Sequence, residues 1–154
     1  MKKKKKISGL AIICILNFIV FAATLGGNIF VDYLGNYHGY TLKQLELWRL
    51  FTSIFVHGSL VHIGCNTVSL LQLGSIIEAK YGRQNFLFIY FVSGIGGSII
   101  SAVINMVLNR DVISVGASGA ICGLLGFMFG KLKGNLKSKF LSLIFTIIPF
   151  VMHQ

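Results

Sequence analysis

Residues 115–130 form an apolar segment in which glycines recur at helical spacing. Five glycines, three or four residues apart, would share one face of a helix; they are Gly116, Gly119, Gly123, Gly126 and Gly130. In water such a helix would be weak, because each interior glycine costs about 1 kcal/mol relative to alanine. In a lipid bilayer the same face is a seam where other helices come into backbone contact. The segment therefore predicts a membrane helix with close neighbours around its single serine, Ser118.

The composition of the chain is that of a membrane protein. Hydrophobic residues make up 55% of the 154 residues and charged residues 12%, and the mean hydropathy is +0.79. The net charge of +10 would suit nucleic acid, but the basic residues lie between apolar runs, so we predict no nucleic-acid partner. Cys14, Cys65 and Cys122 lie inside apolar segments without metal-site spacing, and we predict that they are small buried residues.

Five apolar runs separated by polar stretches predict an all-α, polytopic transmembrane bundle. The runs cover residues 7–25, 51–79, 85–108, 115–130 and 140–152. The last has 13 residues, too few to cross a hydrocarbon core of about 30 Å, so the chain is expected to stop inside the membrane. Residues 26–47 are predicted to be an external loop, with Trp48 and Arg49 as anchors at the membrane interface. We divide the chain into residues 1–44, which hold a basic anchor, the first helix and the start of this loop, and a core of residues 45–154.

The basic residues predict the orientation of the bundle. Eleven of the 14 Lys and Arg residues fall on one side of the predicted spans and three on the other. The eleven are Lys2–Lys6, Lys80, Arg83, Lys131, Lys133, Lys137 and Lys139, and the three are Lys43, Arg49 and Arg110. Because positive charge favours the cytoplasmic side, we predict an integral protein of the lipid bilayer, in a bacterial cell membrane, with a cytoplasmic N-terminus.

Three polar residues in the second predicted span indicate a functional interior. His57, His62 and Asn66 are costly at that depth unless they face protein or a water-filled cavity. His62 and Asn66 are four residues apart and share a helical face, whereas His57 would lie about 140° around the same helix. The alternative is that these residues form hydrogen bonds that hold helices together.

Ser118 is a candidate nucleophile at the external end of its predicted helix. Its glycine neighbours leave room for the hydroxyl, and its backbone N–H could face a developing oxyanion. His62 and Asn66 lie in the same leaflet and could supply further donors, but no residue is obviously placed as the base that a nucleophilic serine needs. The alternative is a small-residue packing helix with an incidental serine.

The segment Gly116-Ala117-Ser118-Gly119 resembles the G-x-S-G motif of the rhomboid family of intramembrane serine proteases. The resemblance covers about residues 45–150. The other matches are the Trp48-Arg49 pair, the spacing of His57, His62 and Asn66, the charged turn at residues 78–83 and the glycine-rich fourth span.

This resemblance implies roles for the matching residues. Ser118 would be the nucleophile, and His62, Asn66 and the Ser118 N–H would form the oxyanion hole. The supporting residues would be His57, Trp48, Arg49, Gly116 and Gly119. Family members need no metal or cofactor, and they cleave membrane protein substrates in transmembrane or juxtamembrane segments. Their base is a histidine on a sixth span that packs on the glycines of the fourth, so the glycine face would be its docking groove.

The chain departs from the family pattern near its end. The sixth span and its histidine are missing, so we expect a C-terminally truncated form that has no general base and is nearly inactive by itself. His153 lies late in the chain, but its neighbours do not match the family's histidine motif. Cys122 stands where many members carry an aromatic residue.

Two non-proteolytic functions remain open. The first is a pseudoprotease that binds client transmembrane helices through its small-residue surfaces at residues 94–98 and 116–130. The second is a membrane protein that handles a small solute or lipid in a polar cavity, which would favour an ionisable residue at the midplane.

Overall fold

The computed structural model describes residues 7–27 and 29–131, and within them it is a bundle of helices. The helices are α1 (Gly9–Thr24), α2 (Ile29–Leu34), α3 (Arg49–Thr52), α4 (Leu60–Tyr81), α5 (Arg83–Val107) and α6 (Ser118–Lys131). A π-helical turn, Gly39–Lys43, lies in the loop after α2, and a 3-10 turn, Ser53–Phe55, follows α3. The predicted all-helical, polytopic bundle is confirmed. The division at residue 44 stays a prediction.

Within residues 7–27 and 29–131, two helices are long and apolar enough to cross a membrane. These are α4, with 22 residues, and α5, with 25. The helices α1 and α6 are also apolar but shorter, with 16 and 14 residues. They correspond to the first and fourth predicted spans. The predicted fifth segment, residues 140–152, lies outside the described residues.

The core lies where α1, α4, α5 and α6 meet. Its fully buried side chains are Ile13 from α1, Leu70 and Ile77 from α4, Phe86 and Tyr90 from α5, and Leu124 from α6. The outer faces of the same helices carry large apolar side chains that are more than half exposed, among them Phe18, Val68 and Phe88. A helix that is apolar all round is expected where one face meets protein and the other meets lipid.

The second predicted span is not one continuous helix. The chain leaves the 3-10 turn at Phe55, and α4 begins only at Leu60. Ser59 caps α4, because its side-chain oxygen accepts a hydrogen bond from the His62 N–H at 3.1 Å. His57 therefore lies in the break before α4, and its predicted position about 140° around the helix from His62 is wrong.

The fourth helix begins three residues later than predicted. Gly116 precedes α6 and has a φ of +107°, a left-handed conformation that favours glycine. The prediction that five glycines share one helical face is therefore wrong for Gly116. Only the remaining four belong to α6.

Half of the glycine face of α6 is filled by α5. A side chain on Gly119 or Gly123 would meet α5, at the Gly97 backbone and at Ser93 respectively. A Cβ built on Gly126 or Gly130 would meet nothing within 4 Å among the described residues. The prediction that the glycine face is a docking groove for a histidine-bearing helix is therefore wrong between Gly119 and Gly123, because α5 already packs there.

Glu78 ties the start of α1 to the end of α4. Its carboxylate accepts hydrogen bonds from the Gly9 and Leu10 N–H groups at 2.7 and 2.9 Å, and from the Ser8 hydroxyl at 2.7 Å. These N–H groups have no partner inside α1, so a carboxylate placed here satisfies them and complements the helix dipole.

The predicted burial of the cysteines is only partly right. Cys14 and Cys65 are half-buried, but Cys122 is exposed on α6. It faces away from the side on which Ala120, Ile121 and Leu124 are buried.

Candidate functional site

The loop between α1 and α3 is built around a buried arginine. Arg49 is only 4% exposed, and its guanidinium donates to the carbonyl oxygens of Asp32 and Gly35 and to the Glu46 carboxylate. It also lies 4.8 Å from the ring centre of Tyr40. The prediction that Arg49 is an anchor at the membrane interface is wrong, because its guanidinium is buried and forms its hydrogen bonds inside the loop. Trp48 remains 44% exposed, as an interfacial residue would be.

The same loop holds the segment that leads to Ser118. Asn36 and Ser114 exchange backbone hydrogen bonds of 2.9 and 3.0 Å, an isolated antiparallel bridge. The Asn36 side chain also donates to the Ser98 carbonyl on α5. Nearby, the Tyr37 hydroxyl donates to the Asp111 carboxylate at 2.9 Å, which raises the pKa of Tyr37 because the bond favours its neutral form. The segment before α6 is therefore hydrogen-bonded to the loop at two points, Ser114 and Asp111.

His62 and Asn66 meet at Gly116. A methyl group built on Gly116 would lie 2.5 Å from His62 Nε2 and 3.3 Å from Asn66 Nδ2. The Gly116 N–H is itself held by the Ser53 carbonyl at 2.9 Å. The structure thus brings two of the predicted site residues together on one face of α4, at a point two residues before Ser118.

The polar atoms at this point have no partner. His62 Nε2 and both side-chain polar atoms of Asn66 are buried and form no hydrogen bond within the described part of the chain. Other buried polar atoms without a partner, such as His38 Nδ1 and Thr67 Oγ1, occur in the described residues. The His62 and Asn66 atoms differ because they converge on one point, at Gly116. Donors that converge without an acceptor are the arrangement expected of a site that receives an oxygen atom.

A cavity of about 500 Å³ joins His62 to Ser118. It opens between the start of α4 and the segment before α6, and Gly58, Ser59 and Ser101 also line it. A second, smaller cavity of about 100 Å³ also has Ser118 in its lining, together with Ser53, Ser98, Ser101 and Ser114. Ser118 therefore lines two neighbouring, partly polar cavities.

Ser118 begins α6, so the first N–H groups of that helix have no partner inside it. They carry the positive end of the helix dipole. No hydrogen bond joins the Ser118 hydroxyl to another side chain in residues 7–27 and 29–131. The predicted lack of an obvious base stays a prediction, and His153 lies outside the described residues.

His57 packs beside the site. Its Nδ1 donates to the Phe55 carbonyl at 3.0 Å, and its ring centre lies 5.0 Å from that of His62, with the two rings at 69°. The ring is 1% exposed. This contact suits the supporting role that the resemblance implies for His57, which stays a prediction.

Sequence reasoning missed the network beneath Ser114. The Ser114 hydroxyl contacts the Ser101 hydroxyl at 2.7 Å and accepts from the Asn105 amide at 3.1 Å. A serine in a helix rich in small residues is usually interpreted as a packing residue. Only the spacing of Ser98, Ser101 and Asn105, which share one face of α5, could have suggested this hydrogen-bond network.

Among the described residues, no group of three His, Cys, Asp or Glu side chains could hold a metal ion. The prediction that neither a metal nor a cofactor takes part stays a prediction.

A family model described as the Rhomboid domain matches residues 44–154. The chain belongs to the rhomboid family. RHOMBOID-like protein 1 of Arabidopsis thaliana is 43% identical over 108 residues, which is 66% of this chain and 27% of that protein. The Rhomboid protease GluP of Bacillus subtilis (strain 168) is 41% identical over 96 residues, 62% of this chain and 18% of that protein. The Inactive RHOMBOID-like protein 8 of Arabidopsis thaliana is 28% identical across 89% of this chain and 49% of that protein.

These relatives place the chain in the membrane but leave its activity open. Members of the rhomboid family are integral membrane proteins, and so is this one. The chain spans about a third or less of the length of the first relatives it matches. Those relatives are plant proteins, so they do not support a bacterial source.

Proposed function

We propose that this rhomboid-family protein is an intramembrane serine endopeptidase that cleaves transmembrane or juxtamembrane segments of membrane proteins. One observation carries the proposal: the unpartnered polar atoms of His62 and Asn66 meet at Gly116, beside a cavity that also contains Ser118. The convergence of these atoms beside the Ser118 cavity supports an acceptor-binding site.

The proposed chemistry is acyl transfer through Ser118. Its hydroxyl oxygen bonds to the scissile carbonyl carbon, and the C=O π electrons move to the carbonyl oxygen as negative charge. When the carbonyl re-forms, the C–N bond breaks, the amine leaves with a proton, and water then hydrolyses the ester on Ser118. The Nε2–H of a neutral His62, the Asn66 amide and the Ser118 N–H would donate hydrogen bonds to the negatively charged carbonyl oxygen. The hydroxyl proton must pass to a base within hydrogen-bond reach, and we assign that role to none of the residues in 7–27 and 29–131.

The orientation follows the charges of the chain. We propose that the N-terminus is cytoplasmic, because eleven of the 14 basic residues then lie on that side. Ser118, at the N-terminal end of α6, then lies in the outer half of the bilayer. A bacterial cell membrane remains our proposed location.

A non-catalytic rhomboid-like protein is the second candidate. Two observations favour it: the Ser118 hydroxyl has no side-chain base among the described residues, and a relative named as inactive matches most of the chain. The client-binding surfaces predicted for it are wrong in part, because the small residues of α5 and α6 face each other: Gly97 contacts Gly119, and Gly94 lies against Ala120.

Removing the proposed oxyanion donors tests the function. In proteoliposomes, the full-length protein should cleave a model transmembrane substrate, and His62→Ala and Asn66→Ala should each lower kcat by about 10²-fold. Gln72→Ala is the matched control, since Gln72 is exposed on the same helix, and should leave kcat unchanged. Cleavage by both variants at the wild-type rate would refute the oxyanion role. Substrate binding without any cleavage by the wild type would support the non-catalytic candidate.

A further inference from the structure

A small groove between the C-terminal ends of α4 and α6 carries two lysines. Lys80 and Lys131 line it together with Ile76, Tyr81 and Met128. We call this the Lys80–Lys131 groove. It lies at the end of the bundle opposite Ser118 and His62, which are at the N-terminal ends of the same two helices.

Each lysine lies beside one ring of an aromatic pair that joins the two helices. The Tyr81 and Phe127 rings meet edge to face, with centres 5.0 Å apart, and so join the two helix ends. The Lys80 ammonium lies 5.4 Å from the Tyr81 ring centre, and the Lys131 ammonium lies 5.6 Å from that of Phe127. Both charges therefore stand over one aromatic pair at the rim of an apolar groove.

No carboxylate neutralises these two charges within the described residues, where the single ion pair is Arg49 with Glu46. Glu78 is the nearest acidic residue in sequence, but its oxygens are turned to the start of α1. The C-terminus of α4 contributes about half a negative charge. A net positive charge remains at the groove, and both lysines are exposed.

We propose that the Lys80–Lys131 groove binds an anionic phospholipid. The phosphate group would lie between the two ammonium groups, and an acyl chain would run along Ile76 and Met128 into the bilayer. Ile76 is 49% exposed beside the lysines, so an apolar surface continues from the charged rim. Basic pockets between transmembrane helices are suited to anionic head groups. This inference is independent of the proposed proteolysis.

Native mass spectrometry of the full-length protein tests the proposal. The protein is released from detergent after addition of phosphatidylglycerol or phosphatidylcholine with identical acyl chains. We expect selective retention of phosphatidylglycerol, and K80Q/K131Q should bind it about 30-fold more weakly, since each lysine near an anionic head group contributes about fivefold.

The matched control removes two positive charges at the other end of the molecule. K43Q/R110Q has the same net charge as K80Q/K131Q, and Lys43 and Arg110 are exposed, so it should retain phosphatidylglycerol like the wild type. Equal retention of the two lipids by the wild type would overturn the proposal. Equal loss in both double variants would also overturn it, because net charge alone would then explain binding.

Discussion

Replacing Gly116 with alanine should lower the rate of Ser118-dependent cleavage by about 10³-fold, at the upper end of the loss that one oxyanion donor typically causes. Gly116 has a φ of +107°, where a side chain is strained. Its new methyl group would lie 2.5 Å from His62 Nε2 and 2.8 Å from His62 Cε1, so the imidazole must move. The same methyl would lie 3.3 Å from Asn66 Nδ2. Both proposed oxyanion donors are thereby displaced from the position they share.

Gly58→Ala is the matched control for this substitution. Gly58 lines the same cavity, but a side chain built there meets nothing within 4 Å, and its φ is not in the left-handed region. We expect near wild-type cleavage rates for Gly58→Ala. Thermal unfolding of both variants in detergent separates a local effect from a loss of folding. A Gly116→Ala variant that cleaves at the wild-type rate would contradict the placement of His62 and Asn66 at this point.

Replacing Arg49 with alanine should lower the free energy of unfolding by about 3 kcal/mol. The guanidinium is buried, and it donates to Asp32, Gly35 and Glu46. Its removal leaves the buried Gly35 carbonyl and the partly exposed Glu46 carboxylate without this partner, so the loss should lie at the lower end of the roughly 3–5 kcal/mol that breaking a buried ion pair costs. Denaturant unfolding in detergent micelles measures the change.

Two further variants check that reasoning. Arg49→Lys keeps the charge but cannot reach several acceptors with a planar fork, so it should recover only part of the lost stability. Arg110→Ala removes an exposed arginine and should change the free energy of unfolding by less than about 0.5 kcal/mol. A loss for Arg49→Ala no larger than that for Arg110→Ala would show that the loop does not depend on Arg49.

The membrane bundle could be predicted because it depends on local patterns. Apolar runs of sufficient length predict helices in a membrane wherever they occur in the chain. The break before α4 also had a local signal, because Ser59 is a good N-cap and Gly58 precedes it. Reading residues 51–79 as one apolar run overlooked that signal and placed His57 on the helix.

The contacts of single residues could be predicted less well, because they depend on parts of the chain that are far apart in sequence. In the sequence, Arg49 next to Trp48 has the pattern of an interfacial anchor. In the structure, its guanidinium instead donates hydrogen bonds to the carbonyl oxygens of Asp32 and Gly35. The glycines of α6 indicated close packing correctly, but the sequence could not say that α5 is the partner at Gly119 and Gly123. The predicted topology placed His62, Asn66 and Ser118 in one leaflet, and the family resemblance implied that they form one site. Neither predicted Gly116 as the point where His62 and Asn66 meet.

The most direct test of the proposed proteolytic function is to identify the serine that reacts. The full-length protein in proteoliposomes is treated with a fluorophosphonate, and the modified residue is identified by peptide mass spectrometry, with Ser118→Ala as the control. Ser59, Ser101 and Ser114 line the same cavity and serve as internal comparisons. We expect a single adduct on Ser118, absent from Ser118→Ala. An adduct on one of the other three serines, or equal labelling of Ser118→Ala and wild type, would contradict the assignment of Ser118 as the nucleophile.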